Sequence, residues 1–353
     1  MDARAAHPRS GPVRVRLSHP GEVASAVPHL LGFRPAESVV LLSLAGRGGS
    51  RLGLTVRADI PDAEQGSALA RSLAAKVVTD RPSGVLAVVV SEAADTGDGL
   101  PHRGLLRDVC SALAEHAVPL TEALLVRGGR WWSYECPGRC CAPGAGTPLP
   151  GGVSELEVAA VASGVVVERD RDALAGRIAR PDGQARQAMA EVCARVAVEC
   201  ADAIVERGWD VVAEESWTAV LGALARSRPG PPTGSTPLTD REVARLLWAL
   251  RDRAVRDRAL ELALGADAPA AEQLWTACTG RAPVPLDAAP ATLLAVSAWL
   301  RGDGAMADVA LTRALAGSPD YELARLLAQA LYACVRPEQL RDLVRRAVAA
   351  GAG

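Results

Sequence analysis

Two rhythms of apolar and polar positions alternate along the first half of the chain. Val13 to Leu17 sets apolar residues against arginine at a period of two, the pattern of a half-exposed strand. Ser18-His19-Pro20-Gly21 then opens a helix reaching about Leu31. Ser38 to Leu44 is a short run rich in Val and Leu, and Leu52, Leu54, Val56, Ala58 and Ile60 alternate as a second strand. Gly46-Arg47-Gly48-Gly49 between them reads as a hairpin loop. A helix follows from about Asp62 to Val78. Val85 to Val90 is apolar throughout, as in a strand buried on both faces. Leu100 to His116 is helical, and Leu120 to Val126 begins a hairpin. This alternation predicts, after a disordered tail over 1–12, a three-layer α/β domain over 13–180 with a largely parallel or mixed sheet.

The second half keeps only the helical rhythm. Cys141 to Gly152 is a Pro/Gly loop, Ser154-Glu155-Leu156-Glu157 has the form of a capping box, and short helices run to Ile178. Arg180-Pro181-Asp182-Gly183 marks a boundary. Beyond it, 181–353 reads as an all-α domain of helical hairpins. The segments are Gln184 to Arg207, about Val211 to Arg226, a helix reaching about Leu264 behind a Thr239/Glu242 capping box, and five more from Ala270 to Ala349. Ser227 to Leu238 is a linker-like connection. Ala298, Gly302, Ala307, Leu311, Ala314 and Pro319 fall at the spacings of a tetratricopeptide unit, and Tyr332 stands one period after Ala298. Residues 291–349 are therefore tetratricopeptide-like or generic helical hairpins, Ala291 and Ala295 departing from the repeat pattern.

The hairpin is the most informative segment. In Leu124-Leu125-Val126-Arg127-Gly128-Gly129-Arg130-Trp131-Trp132 two apolar runs flank two glycines, which supply positive φ at a tight turn. That register sets Arg127 opposite Arg130, an unfavourable like-charge pair that an anion would relieve. Trp131 and Trp132 point to opposite faces.

Composition narrows the functional classes. The chain has 353 residues, 49% of them hydrophobic, and a formal charge of −2, so no basic excess points to nucleic acid. Lys76 is the single lysine, and the abundance of Arg, Ala, Gly and Pro follows GC-rich codons. No apolar run is long enough for a spanning helix, and Met1-Asp2-Ala3-Arg4 lacks the apolar core of a signal peptide. The expected compartment is the cytoplasm, with no membrane association and with reduced thiols. Cys110, Cys193, Cys200, Cys278 and Cys334 read as small buried hydrophobes. Phosphate-loop, dinucleotide, nucleophile-elbow and zincin motifs are all absent from the sequence.

Several segments carry a resemblance. They are Leu30-Leu31-Gly32-Phe33-Arg34-Pro35-Ala36-Glu37-Ser38-Val39-Val40; Arg57-Ala58-Asp59; Ala123 to Tyr134 followed by Cys136, Cys140-Cys141 and Gly146-Thr147-Pro148-Leu149; and, further on, Ala298-Trp299 and Leu323 to Ala328. Together they resemble the actinobacterial family called domain of unknown function 4192. The resemblance implies a lineage and a cytoplasmic setting. It brings no activity and transfers no catalytic residue.

Three groups of residues are candidates for chemistry. Arg34, Glu37 and Ser38 sit at a helix-to-strand entrance, where Arg34 either pairs with Glu37 or offers its planar fork to an anion. Arg57 and Asp59 share one strand face as a local ion pair, or place Asp59 as a base or ligand orienter. Arg127, Arg130 and Trp131 are either an ordinary turn or a clamp for phosphate or carboxylate with a stacking ring. In addition, Cys136, Cys140 and Cys141 gather three thiols within six residues. They are candidates for zinc, with a fourth ligand such as His102, His116 or Cys110, for a labile disulfide, or for idle thiols. The spacing is not that of a zinc knuckle.

The preferred reading is a binding or regulatory protein. Its α/β domain would hold a small anionic ligand, and its C-terminal helices would contact a protein partner or a second copy. One alternative is a hydrolase or transferase using Asp59, Glu37 or Cys136; another is a structural scaffold without ligand.

Overall fold

The computed structural model describes residues 19–46, 51–97, 99–151, 166–228 and 237–351. The expected tail, the Val13 to Leu17 strand, the Ser154 capping box and parts of the Gly46 to Gly49 and Ser227 to Leu238 connections lie outside the described residues. The chain divides into two compact units, Met1–Asp170 and Arg171–Gly353.

The first unit is a six-stranded mixed sheet of β1 (Ser38–Ala45), β2 (Arg51–Asp59), β3 (Gly84–Val90), β4 (Leu120–Arg127), β5 (Arg130–Ser133) and β6 (Thr147–Pro148), in the order β2-β1-β3-β4-β5-β6. The β3–β4 pair is parallel and the other neighbours are antiparallel. Among the described residues, helices α1 (Pro20–Leu31), α2 (Gly66–Val77) and α3 (Arg103–Ala114) accompany the sheet. A reciprocal cap starts α1: the His19 ring accepts from a backbone amide and Glu22 reaches back to the His19 amide. Gly32, in the left-handed conformation, ends it.

The pleat sorts side chains onto two faces. Val39, Leu41, Ala87, Val89, Ala123, Leu125 and Trp132 pack with α2 and α3 into one core. Trp131, on the opposite face, meets α1: its ring lies edge-on to His19 at 5.3 Å, and a Cβ on Gly21 would stand 2.7 Å from its Nε1. Both tryptophans are buried. The β4–β5 turn needs positive φ at both central positions, and Gly128 and Gly129 adopt 53° and 72°.

The second unit is helical: α4 (Arg171–Gly176), α5 (Gly183–Arg207), α6 (Trp209–Arg226), α7 (Asp240–Ala249), α8 (Arg253–Ala259), α9 (Ala268–Arg281), α10 (Ala288–Arg301), α11 (Gly304–Gly317), α12 (Glu322–Tyr332) and α13 (Pro337–Gly351). Every residue of α10 from Pro290 to Leu300 is buried, the mark of a central helix apolar all round. The Thr239/Glu242 capping box forms as its residues suggest. The helix it opens stops at Ala249 instead of about Leu264, because the Asp252 side chain accepts the Ala254 amide and caps a new helix. Asp287 is fully buried between Arg180, at 3.2 Å, and Arg313, at 3.4 Å. No helix among the described residues is long and apolar enough to cross a membrane.

Candidate functional site

Sheet register fixes where the candidate residues stand. Ser38 pairs with Asp59 on one side and Val90 on the other; Val90 pairs with Val126, and Val126 with Trp131. Asp59, Ser38 and Trp131 therefore share one row and one face. Arg127 and Arg130 are opposite partners one step further along, on the other face with Trp132.

A cavity of about 830 Å³ opens at the carboxyl ends of the parallel strands β3 and β4, the place where open α/β sheets commonly take ligands. Val27, Val90, Val126 and Leu149 give it apolar wall. Arg34 lines it, exposed, and its guanidinium has no ion-pair or hydrogen-bond partner among the described residues. The backbone amide of Arg34 is held separately, donating to the Glu168 carbonyl at 3.0 Å. Ser25 and His29 of α1 also line the cavity, and Ser25 Oγ and His29 Nδ1 are buried without a hydrogen-bond partner among the described residues.

The remaining cations are committed to protein acceptors. Arg127 contributes to the cavity wall, yet its Nη1 donates to the Ala93 carbonyl at 2.6 Å and its Nη2 to Asp95 Oδ1 at 2.8 Å, while the guanidinium stacks over Trp132 at 4.9 Å. Arg130 donates to the carbonyls of Ala145 and Gly146 at 2.9 and 2.8 Å. The like-charge pair is thus relieved within the protein. Arg57 donates to Ser38 Oγ at 2.9 Å, pairs with the exposed Asp59, and lies over the Phe33 ring at 5.7 Å. Arg57, Asp59 and Arg130 do not line the cavity, and Trp131 is too buried to offer a stacking face.

Among the described residues Glu37 pairs with neither Arg34 nor any other cation. It holds a polar network that sequence reasoning missed. Its Oε2 accepts from Ser91 Oγ at 2.8 Å and its Oε1 from the Glu92 amide at 2.8 Å. Ser91 Oγ also meets His102 Nε2 at 2.9 Å and accepts the Ala93 amide at 3.1 Å. Glu92, in the cavity wall, accepts the Gly128 amide at 3.1 Å. Glu37 and His102 both have positive φ, 40° and 61°, so a left-handed backbone stands at each end of the Glu37–Ser91–His102 chain. Burial lowers the His102 pKa below its ordinary value, against the opposing pull of Glu37. The chain can pass a proton between carboxylate and imidazole, while Ser91, at 1% exposure, is poorly placed to attack a substrate. The available sequence signal was the polar segment Ser91 to Asp95 immediately after the apolar run of β3.

The three thiols do converge. Cys136, Cys140 and Cys141 place their sulfurs within 4.8 Å of one another. His102, His116 and Cys110 do not join them. The Gly138 amide donates to Cys136 Sγ at 3.4 Å, lowering that thiol's pKa, and burial raises Cys141 to about 11. Cys193, Cys200 and Cys278 are buried as expected, whereas Cys110 is exposed and Cys334 half-buried. In the helical unit a smaller cavity, about 300 Å³, is lined by Arg171, Arg180 and Arg313, which pair with Asp308 and Asp287.

Residues 20–338 match the family described as domain of unknown function (DUF4192). The chain belongs to this family. Its span takes in the sheet, the thiol loop and most of the helical unit, so all of the candidate residues fall within it. No curated protein and no solved structure matches the chain.

Proposed function

We propose that the first unit binds a small anionic ligand with an apolar body in the cavity at the ends of β3 and β4. The observation that carries this reading is Arg34, whose guanidinium has no partner among the described residues and stands on the wall of a cavity whose other described lining is mainly apolar. An unpaired arginine fork matches phosphate or carboxylate geometry. Ser25 and His29, whose Oγ and Nδ1 have no hydrogen-bond partner among the described residues, add polar side chains to the same wall. Arg127 belongs to the wall through its position, and its ties to Ala93 and Asp95 make it a support for the site. The ligand-holding cation is therefore Arg34, and the pair across the hairpin is structural.

For the helical unit the reading is contact with a protein partner or a second copy, as in repeat-like helical hairpins. It is supported by the exposed apolar side chains of Val198, Val205 and Trp209. The hydrolase or transferase alternative rests on the Glu37–Ser91–His102 chain alone. Asp59 on edge strand β2 and Cys136 after β5 stand four strand spacings apart, about 19 Å, so they do not serve one reacting centre.

Differential scanning fluorimetry of the full chain with nucleotides, phosphorylated sugars and short acyl carboxylates tests the ligand reading. A saturable rise in melting temperature with at least one class is expected. A flat response across the whole panel overturns it.

A further inference from the structure

We propose that Cys136, Cys140 and Cys141 form a three-thiolate site for a thiophilic metal ion, zinc foremost, with the fourth coordination position open to solvent. The proposal stands independently of the ligand reading, since none of the three cysteines lines the cavity.

Distances between the sulfurs carry the argument. Cys136 Sγ lies 3.8 Å from Cys140 Sγ, and Cys140 Sγ lies 3.9 Å from Cys141 Sγ. The third separation falls within the same 4.8 Å limit. Zinc–sulfur bonds of about 2.3 Å at a tetrahedral angle place two sulfurs about 3.8 Å apart. The side chains thus already span a face of a metal–sulfur tetrahedron, at a spacing well beyond the roughly 2.05 Å of a disulfide. A short 3-10 turn over Arg139–Cys141 brings the adjacent pair round to meet Cys136.

The surroundings suit thiolates. The Ser133 amide donates to Cys141 Sγ at 3.2 Å and the Gly138 amide to Cys136 Sγ at 3.4 Å, the kind of outer hydrogen bonding that orients metal ligands and stabilises their charge. A Cβ on Gly138 would stand 3.3 Å from both Cys136 Sγ and Cys140 Sγ, so a side chain there would crowd the sulfurs. Cys141 is buried, Cys136 half-buried and Cys140 exposed, which anchors the cluster on one side and leaves an entry path on the other. No His, Asp or Glu among the described residues joins the cluster, so the fourth position falls to water or an incoming ligand. An all-sulfur donor set selects soft or borderline ions over magnesium or calcium. Each thiol loses its proton to solvent as its metal–sulfur bond forms, with no change of oxidation state.

Binding would also fix the loop that holds the hairpin. Trp132 Nε1 donates to the Ala142 carbonyl at 3.3 Å, Arg130 to the carbonyls of Ala145 and Gly146, and the Gly144 amide to Asp95 Oδ2 at 2.9 Å. Metal at the start of this loop therefore stabilises the first unit by mass action.

The test is cobalt titration of the full-length, chelator-treated protein under reductant, read by thiolate-to-cobalt charge-transfer absorption, then competition with zinc. The expected result is one equivalent of cobalt with strong charge-transfer absorption, displaced by zinc and accompanied by a higher melting temperature. Cys140→Ser, at an exposed position, removes one thiolate and is expected to weaken cobalt binding by at least the roughly tenfold that loss of an outer-shell partner costs. Cys110→Ser, at an exposed cysteine outside the cluster, is expected to bind as the parent does. Absence of charge-transfer absorption in the reduced protein overturns the proposal, as does absorption unchanged in Cys140→Ser. A Cys136–Cys140 or Cys140–Cys141 disulfide that forms in air, with no metal taken up after reduction, overturns it in favour of a redox pair.

Discussion

Asp95 holds Arg127 with one carboxylate oxygen, at 2.8 Å, and the Gly144 amide of the thiol loop with the other, at 2.9 Å. One side chain thereby ties the end of β4 to the loop beyond β5. Both partners of the ion pair are largely buried, at 15% and 19% exposure, so its loss is felt more than that of a surface pair. Asp95→Ala takes the counter-charge from a guanidinium that keeps the Ala93 carbonyl, leaves the Gly144 amide without its acceptor, and is expected to cost about 1–3 kcal/mol. Thermal unfolding followed by tryptophan fluorescence measures it; Asp59→Ala, at the exposed edge, is expected to change little.

Gly146 touches the indole of Trp132 directly. A Cβ there would lie 2.4 Å from Cζ2, and φ is 71°. Gly146→Ala is expected to destabilise by about 1–3 kcal/mol through overpacking, with further strain from the left-handed backbone. Chemical denaturation provides the number, and a shifted tryptophan emission would show that the indole has moved.

In the helical unit Asp287, at 0% exposure, serves Arg180 and Arg313 together. Asp287→Ala leaves Arg313, at 8% exposure, as a buried cation without its counter-charge, and a loss of about 3–5 kcal/mol is expected. Gly317→Ala presses on the same carboxylate, since its Cβ would come 2.6 Å from Asp287 Oδ1. Far-UV circular dichroism in urea would report both as shifted midpoints.

His102 supplies a pH dependence. Burial lowers its folded-state pKa below the ordinary 6.5, so the folded protein binds the imidazolium proton less readily than the unfolded chain. The contribution of this group is fully present above about pH 6.5 and is lost as the pH falls through the lower folded value. His102→Asn, which keeps a residue tolerant of positive φ, is expected to flatten the melting-temperature profile below about pH 6.5. A profile unchanged by that variant would remove His102 from the acid response.

Much of the fold was legible because its signals are local. The Gly128-Gly129 turn announced the hairpin, the unbroken run before Ser91 announced β3, and the Ser18-His19-Pro20-Gly21 segment and the Thr239/Glu242 capping box marked helix starts. The candidate site was legible only in part, because its partners are distant in sequence. Spacing sets Arg127 against Arg130 but cannot show that Asp95 and the Ala145 and Gly146 carbonyls neutralise them. Glu37 looked like a partner for Arg34, and only the antiparallel pairing of β1 with β3 brings it to Ser91 instead. The Asp252 cap that divides the helix after Thr239 was missed because one aspartate inside an amphipathic run reads as surface.

In the proposed reading Arg34 holds an anion in the cavity at the ends of β3 and β4. Isothermal titration calorimetry of the compound giving the largest thermal shift, compared between the parent chain, Arg34→Ala and Arg130→Ala, tests it most directly. Affinity is expected to fall about tenfold to a hundredfold in Arg34→Ala, the worth of one charge-assisted hydrogen-bonding group, and to hold in Arg130→Ala. Equal affinity in the parent and Arg34→Ala would contradict the claim.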